Sequence, residues 1–581
     1  MTDKSIPIVP AQGSPRDLAS GLAANTVNYG DKEFALFLRR AFIKGAGYSE
    51  EDLHRPIVGI VNTHSDFNPC HGNAPGLVEA VKRGVMLEGA LPMVFPTISL
   101  HESFAAPTSL YLRNLMAMDT EEMIRAQPMD AVVLLGGCDK TLPAQIMGAL
   151  SAGRPFVVLP TGPMLSSSWR GQRVGACTDC RRLWADFRAG RLTQAQIDEA
   201  NNQLVPSVGT CSVMGTASTM ACIIEAMGLS VEGAASAPAV SAERLRVGER
   251  TGTVAAELAR SGKVLSITQG HVDNALRVLL AVGGSTNALV HLAAMVGRVG
   301  LSLSSTRFNA LAAKTPVLVD LKPGGQGYMP DFHEAGGMPR LMREMRGILD
   351  PDPLTVWGQP IGQCIETADD FPQTVIRAVS NPIYPAEGLK MLHGNLAPNG
   401  AVIKPVAASA ALLQHEGRAI VFNGLEDLAF RIDDPELDVR ADDVLVLRGI
   451  GPIAAGMPEA GLIPIPKKLA AQGVKDMVRI SDGRMSGTAF GTIVLHISPE
   501  AAAGGPLARV RDGDRIRLDV KAGTIDVLVE PSQWSAREPA SLPTLPAERG
   551  FGWLHSSQVT QAESGCDFRF LQGPSASPVS P

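Results

Sequence analysis

The chain is predicted to be an α/β protein with a mainly parallel sheet in its N-terminal part and a strand-rich C-terminal part. Between residues 57 and 159, short apolar runs alternate with segments of helical spacing, as in parallel strands joined by crossover helices. Beyond about residue 390, predicted strands and turns follow one another with few helical segments between them. We therefore expect a helix-covered sheet followed by a second, β-rich unit.

Four apolar, β-branched runs define the predicted parallel sheet. Each is short enough for a buried strand and ends in a polar or glycine-rich loop. The predicted strands are 57–61, 93–98, 131–135 and 155–159, with helices at 32–44, 75–88, 109–118, 181–204, 213–227, 273–282 and 288–299. In the C-terminal part, the predicted strands are 419–422, 444–447, 477–480, 492–497, 515–520 and 524–529, of which the last two form a β-hairpin.

The 581 residues are enough for two to four domains at roughly 150 residues per domain. A turn-rich junction, 394–400, stands where the character of the sequence changes, so we place a boundary near residue 390. The predicted organisation is a loose arm over 1–30, an α/β domain over 31–390, a β-rich domain over 391–570 and a disordered, Pro/Ser-rich tail over 571–581.

Composition excludes several classes of function. A net charge of −6 gives no reason to expect binding to nucleic acid or to an anionic membrane surface. No apolar run reaches the roughly 18–20 residues that span a bilayer, and the N-terminus lacks the apolar core of a signal peptide. Eight cysteines are too few for a disulfide scaffold in a chain of this length. We expect a cytoplasmic protein with reduced cysteines, some of which could be metal ligands.

Three loops after predicted strands carry residues of metal-binding type. In an open parallel sheet these loops meet beyond the carboxyl ends of the strands, where ligands bind. Thiolates suit iron–sulfur clusters, copper or zinc, whereas carboxylates suit magnesium or manganese. The sequence therefore predicts a metal site, and one loop that offers both donor types could contact two metals. The residues are His64, Asp66, Cys70 and His71 in the first loop, His101 and Glu102 in the second, and Cys138, Asp139 and Lys140 in the third.

Cys211 is a candidate third thiolate, because it precedes a predicted helix whose dipole would favour the anion. Three thiolates with an open position suit a catalytic iron–sulfur cluster better than structural zinc, which normally takes four ligands. An exposed iron could polarise a leaving hydroxyl group. The competing thiol site is Cys177 and Cys180, a CxxC pair that could be a redox pair or half of a zinc site.

Two glycine-containing loops of the C-terminal part also resemble functional motifs. The segment 449–454, Gly-Ile-Gly-Pro-Ile-Ala, follows a predicted strand and resembles a weak dinucleotide fingerprint, although Pro452 interrupts it. The segment 482–488, Asp-Gly-Arg-Met-Ser-Gly-Thr, lies between two strands and lacks the spacing of a serine nucleophile elbow. By residue pattern alone, an ordinary turn is the default interpretation of the second loop.

Five motifs together resemble the dihydroxy-acid and sugar-acid dehydratase family, which includes phosphogluconate dehydratase, and most resemble its arabinonate-type aldonate dehydratases. The similarity spans about residues 50–535, with the motifs in family order. They are Cys-Asp-Lys-Thr at 138–141, Met-Gly-Thr-Ala-Ser-Thr-Met at 214–220, Gly-Gly-Ser-Thr-Asn at 283–287, Gly-Asn-Leu-Ala-Pro at 394–398 and Ser-Asp-Gly-Arg-Met-Ser-Gly at 481–487.

The resemblance implies a doubly wound α/β domain, a C-terminal β-barrel-like domain and assembly as homodimers or homotetramers. It implies loss of water from a 2,3-dihydroxy sugar acid to give a 2-keto-3-deoxy acid. The cluster would be 2Fe–2S, with 4Fe–4S as the less favoured type. The implied residues are Cys70, Cys138 and Cys211 for the cluster; Glu102, Asp139, a carbamylated Lys140 and Glu459 for Mg²⁺; Ser486 as the base; and Ser486 and Thr488 for substrate binding.

Serine is too weak a base unless it is an alkoxide, so a cation is expected near Ser486. The sequence departs from the family pattern at His101, at 104–106 and at the Cys177–Cys180 pair. The alternatives are a branched-chain dihydroxy-acid dehydratase, a nucleotide-dependent oxidoreductase built on 449–454, and a thiol-based metal-binding or redox protein built on Cys177 and Cys180.

Overall fold

A computed structural model describes residues 20–365 and 370–573. The predicted N-terminal arm lies outside the described residues up to residue 19, and the predicted disordered tail lies outside them from residue 574. The described part is an α/β structure with a parallel sheet in its N-terminal half and a closed barrel in its C-terminal half, which confirms the predicted fold class.

The N-terminal half alternates strands and helices as predicted. The apolar runs become strands because backbone hydrogen bonding allows their Val, Ile and Leu side chains to be buried on both faces of the sheet. The strands are β1 Ile57–Asn62, β2 Leu91–Pro96, β3 Ala131–Gly136, β4 Phe156–Pro160, β5 Ser167–Trp169 and β6 Gln172–Val174. The helices are α1 Lys32–Gly45, α2 Ala74–Leu87, α3 Ser109–Ala126, α4 Thr141–Ala152, α5 Thr178–Arg188, α6 Gln194–Asn201, α7 Thr216–Ala226, α8 Ala242–Ser261, α9 Gln269–Ala281, α10 Asn287–Gly297, α11 Ser305–Ala312, α12 Met329–Glu334, α13 Gly337–Glu344 and α14 Ile361–Ile365.

The parallel sheet has the strand order β2-β1-β3-β4. β1 pairs with β2 on one side and with β3 on the other, with Val58 opposite both Pro92 and Ala131. The chain therefore winds outward in both directions from the β1–β3 pair. The carboxyl ends of β1 and β3 form the topological switch point at which open α/β sheets bind their ligands. Helices α2 and α8 pack against each other and the sheet, and α3 packs against α4.

The C-terminal half is built around an eight-stranded closed barrel of order β10-β11-β12-β8-β7-β14-β13-β9. β9, β10, β11 and β12 are mutually parallel, whereas β13 and β14 form the predicted antiparallel hairpin, with Asp519 opposite Thr524. The strands are β7 Lys390–Gly394, β8 Ala397–Ile403, β9 Gln414–Asn423, β10 Val444–Arg448, β11 Val478–Ser481, β12 Ile493–Ser498, β13 Arg515–Asp519 and β14 Thr524–Val527. The helices are α15 Gly424–Arg431, α16 Pro452–Ala455, α17 Lys467–Ala471, α18 Pro531–Ser535 and α19 Gly550–Gln558.

One predicted helix start is wrong in a way that matters for the site. Helix α7 begins at Thr216, so Cys211 does not lie in its first turn. The preceding segment is held by pairing with other parts of the chain, because Ser212 N donates to Ala176 O and Met214 N to Lys322 O. The helix dipole acts only within the first turn, and it therefore does not account for the chemistry of Cys211.

No helix in the described residues is long and apolar enough to cross a bilayer.

Candidate functional site

The loops after β1 and β3 meet at the switch point, as their strand order requires. His71, in the β1 loop, joins them: its Nε2 accepts hydrogen bonds from the backbone N–H groups of Gly137 (2.8 Å) and Cys138 (3.2 Å). Its Nδ1–H donates to Thr63 O at 2.9 Å. Burial lowers the pKa of His71 to about 4, which keeps the ring neutral and able to accept. The structure thus gives His71, predicted as a metal-type residue, hydrogen bonds that hold the turn.

The predicted thiols of three separate segments come together beside this turn. Cys70 and Cys138 are buried, and their Sγ atoms lie within 4.8 Å of each other and of a ring nitrogen of His101. Contact with the Cys138 thiol, burial and the nearby Cys211 raise the pKa of Cys70. The neighbouring thiol Cys177, followed by burial, likewise raises the pKa of Cys211. Without a metal, Cys70 and Cys211 therefore resist ionisation, and a metal would remove that penalty by binding the thiolates. The pKa of Cys177 is instead lowered by its hydrogen bonds with Cys180 and Cys211.

The CxxC pair is part of the same pocket. Cys177 Sγ lies 3.4 Å from Cys211 Sγ, and Cys180 contacts Cys177 from the first turn of α5. Both residues of the pair are half-buried. Cys177 and Cys180 therefore do not form a site remote from the other thiols, as a separate redox or zinc-binding function would suggest.

A group of three carboxylates lies on the other side of the same turn. Oxygen atoms of Glu102, Asp139 and Glu459 lie within 4.8 Å of one another. Glu102 follows β2 and Asp139 follows β3, whereas Glu459 comes from the C-terminal half, between α16 and α17. Hard oxygen donors in this number are the ligands that Mg²⁺ prefers.

Lys140 points its ammonium group into the three carboxylates. It hydrogen-bonds to Asp139, and its Nζ lies 3.4 Å from Glu102 Oε2 and 3.8 Å from Glu459 Oε1. The side chain is fully buried. Burial and the nearby Arg484 act to lower the pKa of Lys140, but the carboxylates outweigh them and raise it above the usual value.

Arg484 is a second buried cation in this group, and the sequence analysis did not single it out. Its guanidinium donates to Glu459 Oε1 at 2.5 Å, to both oxygens of Glu102 at 3.1 and 3.0 Å, and to Met457 O at 2.7 Å. Although burial opposes ionisation, Arg484 and Lys140 hold the pKa of Glu102 well below its usual range. Arg484 therefore ties a carboxylate of each half of the molecule into one charged group.

The donor sets fit the two metals that the resemblance implies. The thiols match the soft ligands of an iron–sulfur cluster, and the carboxylates match Mg²⁺. Three carboxylates with Lys140 and Arg484 carry a net charge of −1. Carbamylation of Lys140 together with bound Mg²⁺ would leave the same net charge of −1, so the surroundings suit both states.

Ser486 and Thr488 lie in the loop that follows β11. Ser486 Oγ is 2.8 Å from Thr488 Oγ1, which in turn accepts from Arg181 Nε at 3.4 Å. The guanidinium of Arg181 also lies 3.9 Å from Glu459. A cation near Ser486 was expected, and Arg181 supplies one through a single intervening hydroxyl. The amide of Asn287 connects this loop to the carboxylates, because its Nδ2 donates to Met485 O at 3.0 Å and to Glu459 Oε1 at 3.5 Å.

The glycine-containing segment 449–454 does not offer a phosphate site. The backbone N–H groups of Gly449 and Ile450 donate to the carboxylate of Asp482, at 3.0 and 3.1 Å. Those of Ile453 and Ala454 donate to the carboxylate of Glu500, at 2.7 and 3.1 Å. Two acidic side chains thus take the amides that would hold a pyrophosphate, and their charges would repel it. This geometry argues against the oxidoreductase interpretation.

Comparison with known proteins gives full-length matches. Residues 55–364 match the family model described as dihydroxy-acid/6-phosphogluconate dehydratase N-terminal, and residues 374–566 match its C-terminal counterpart. The chain is 43% identical to the 6-deoxy-6-sulfo-D-gluconate dehydratase of Pseudomonas putida, over 92% of this chain and 93% of that protein. It is 43% identical to the L-arabonate dehydratase of Azospirillum brasilense, over 92% and 94%. Identity to the dihydroxy-acid dehydratase of Moorella thermoacetica is 36%, over 90% and 97%.

Proposed function

Because the chain belongs to the dihydroxy-acid/6-phosphogluconate dehydratase family and is therefore a hydro-lyase, we propose that it dehydrates a sugar acid with an iron–sulfur cluster and Mg²⁺. The substrate is a 2,3-dihydroxy aldonate, and the product is the 2-keto-3-deoxy acid. The relatives named as sulfogluconate and arabonate dehydratases support the substrate class.

One observation carries the proposal. The turn Cys138-Asp139-Lys140 places a thiol in one donor set and a carboxylate and an amine in the other, with no residue between them. Two metals held by adjacent residues of one turn are close enough to act on one small substrate. Cys70, Cys138 and Cys211 would hold the cluster, for which we propose the 2Fe–2S type. The Mg²⁺ ligands would be Glu102, Asp139, carbamylated Lys140 and Glu459.

The metals would supply Lewis acidity for the substrate carboxylate and for the hydroxyl that leaves from C3. The protein supplies the proton transfer. Ser486 Oγ, as the alkoxide, takes the proton from C2 as the C3 hydroxyl leaves as hydroxide. The Ser486 hydroxyl then returns this proton to the hydroxide, which gives water and restores the alkoxide, and the enol tautomerises to the 2-keto acid. Thr488 and Arg181 stabilise the alkoxide form of Ser486, because the guanidinium charge reaches it through the Thr488 hydroxyl.

The preference for a sugar acid over a branched-chain dihydroxy acid rests on the relatives, because the sugar-acid dehydratases are 43% identical to this chain and the dihydroxy-acid dehydratase 36%. A cavity of about 930 Å³ opens beside the thiols. Apolar side chains such as Trp184, Ile465 and Phe490 form most of its wall, with charged groups of both signs among them. The basic groups of this wall suit the carboxylate that both candidate substrates carry, and they include Arg181, Arg182, Arg188, Arg191 and Lys475.

Ser486→Ala tests the proposal directly. Removing the base should lower kcat by roughly 10³-fold or more, while iron, sulfide and Mg²⁺ contents remain those of the wild type. Anaerobically purified protein should be assayed against a panel of aldonates and 2,3-dihydroxyisovalerate, with 2-keto acid as the readout. Ser535→Ala, at an exposed serine of α18, is the matched control and should retain full activity.

Two results would contradict the proposal. The first is near-normal turnover by Ser486→Ala, which would remove Ser486 from the chemistry. The second is active wild-type protein that contains neither iron nor sulfide. Turnover of 2,3-dihydroxyisovalerate alone would instead identify the branched-chain activity.

A further inference from the structure

The thiol pocket contains two cysteines beyond the cluster set of the proposed function, Cys177 and Cys180, and Cys177 is the one in contact with a thiol of that set. Cys177 and the three cysteines of the set form two pairs that come from four separate segments. Cys70 and Cys138 are the first pair, with Sγ atoms within 4.8 Å and in hydrogen-bond contact. Cys177 and Cys211 are the second, with Sγ atoms 3.4 Å apart. The two pairs are neighbours, because Cys211 of the second pair lies near both cysteines of the first pair.

This pairing matches the ligand pattern of a two-iron cluster. Such a cluster commonly takes four thiolates, two on each iron. A tetrahedral metal with sulfur ligands at about 2.3 Å holds its two sulfurs roughly 3.8 Å apart. The 3.4 Å between Cys177 and Cys211 is close to that spacing. Without Cys177, the iron bound by Cys211 would have only one thiolate ligand.

His101 is the other candidate for a fourth ligand, but it lies with the wrong pair. Its ring is near Cys70 and Cys138, which already form two ligands of one iron. Its Nδ1 also accepts the N–H of Ser103 at 3.2 Å and so orders the turn that carries Glu102. The position opposite Cys211 is therefore better matched by the Cys177 thiol.

We propose that Cys177 is a fourth, displaceable thiolate ligand of the cluster, bound to the iron of Cys211 in the substrate-free enzyme. This inference rests on the iron–sulfur cluster of the proposed function. On substrate binding, a substrate hydroxyl oxygen would replace Cys177 Sγ as the ligand of this iron. The exchange is a ligand substitution in which no electron is transferred.

Position in the pocket explains why Cys177 would be the ligand that leaves. Cys70 and Cys138 are buried, and Cys211 is half-buried like Cys177, but of these four thiols Cys177 alone lines the cavity of about 930 Å³. The same cavity wall includes Arg181, which stands beside Thr488 in the loop of the proposed base. Substrate entering from the cavity therefore meets Cys177 before it meets the buried thiols.

The test is ⁵⁷Fe Mössbauer spectroscopy of the substrate-free holoenzyme, compared among the wild type, Cys177→Ala and Cys177→Ser. Cys364→Ser, at a half-buried cysteine of α14 outside the thiol pocket, is the matched control. We expect all variants to keep the iron content of the wild type. One of the two iron signals should change in Cys177→Ala and Cys177→Ser and stay unchanged in Cys364→Ser. The KM of Cys177→Ala should fall several-fold, because substrate no longer competes with an internal ligand.

The proposal is overturned if the spectra of Cys177→Ala and Cys177→Ser equal that of the wild type. It is also overturned if His101→Gln, rather than the Cys177 variants, changes the signal, or if Cys177 and Cys180 form a disulfide in the active, iron-loaded enzyme. Wild-type protein without iron or sulfide would instead refute the cluster of the proposed function, so the two failures are distinguishable.

Discussion

Two fully enclosed lysines show how differently this protein treats a buried charge. Lys140 lies among three carboxylates at the sheet edge, and their effect raises its pKa above the usual value despite burial. Lys404 directly follows barrel strand β8, and within the described residues its Nζ has no hydrogen-bond partner. Burial alone lowers its pKa to about 7.

This difference shows that burial alone does not identify a functional lysine, because the neighbouring charges decide whether its amine is protonated. The surroundings of Lys140 hold a positive charge and would accept a divalent cation in the same place. The surroundings of Lys404 only exclude water, so its ammonium form is penalised. Lys404 is thus an internal control for Lys140, with the same side chain and comparable burial.

The largest expected effect is a loss of activity when Lys140 is exchanged for methionine, with the same exchange at Lys404 as the control. Lys140→Met removes a proposed Mg²⁺ ligand, so kcat/KM should fall by roughly 10³-fold with loss of the Mg²⁺ dependence. Lys404→Met should retain wild-type turnover in the same assay. Equal activity of the two variants would show that the carboxylates around Lys140 have no catalytic purpose.

Removing the other cation of the acidic group should destabilise the protein. Arg484→Met removes the buried guanidinium that bridges the half-buried Glu102 and Glu459, which should cost about 3–5 kcal/mol of the free energy of unfolding. The measurement is urea denaturation of the metal-free protein. Arg515→Met, which removes an exposed ion pair with Glu416, should cost less than about 1 kcal/mol. A loss of similar size in both would mean that Arg484 is not needed to balance the carboxylates.

Lys404 should give the protein a distinctive dependence of stability on pH. Its folded pKa of about 7 lies below that of an unfolded lysine, so between these values the unfolded chain binds the additional proton. Stability should therefore rise by up to about 3 kcal/mol from pH 7 to pH 10, and Lys404→Met should remove this rise and be more stable at pH 7. Parallel pH profiles of wild type and variant would refute the assignment.

The smallest expected change is spectroscopic and concerns a single residue. A carbamate forms from a neutral amine and CO₂, and the raised pKa of Lys140 opposes this in metal-free protein. With ¹³C-labelled bicarbonate, we expect a carbamate signal in ¹³C NMR only after Mg²⁺ is added. Lys404→Met should keep the signal and Lys140→Met should lose it. A carbamate signal from Lys140→Met would place the modification elsewhere.

The α/β half and its thiols were largely predictable from sequence. Strands followed by loops with Cys70, Glu102 and Cys138 predicted convergence at one sheet edge, and the structure brings these loops together there. This succeeds because parallel strands impose a common direction on successive loops. Local pattern did not identify Arg484 or Arg181, since an arginine in a turn carries no signal of what its guanidinium contacts.

The Cys177–Cys180 pair shows the limit of motif reading most clearly. Its spacing predicts a self-contained thiol site, whereas the fold places Cys177 against Cys211, 34 residues farther along the chain. Short-range spacing constrains only residues on the same turn of backbone. The contact between the two segments depends instead on tertiary pairing, such as that of Ser212 N with Ala176 O.

The sequence by itself determined the fold class, the order of strands and loops, and the residue types available to bind metals. These follow from local periodicity and from the geometry of parallel strands. The family resemblance already implied that Glu459 and Ser486 of the C-terminal half join the loops of the N-terminal sheet, and only the tertiary structure decided that Arg484 joins them. It also decided which buried lysine keeps its charge, because electrostatic interaction depends on distance in space, and sequence separation does not report that distance.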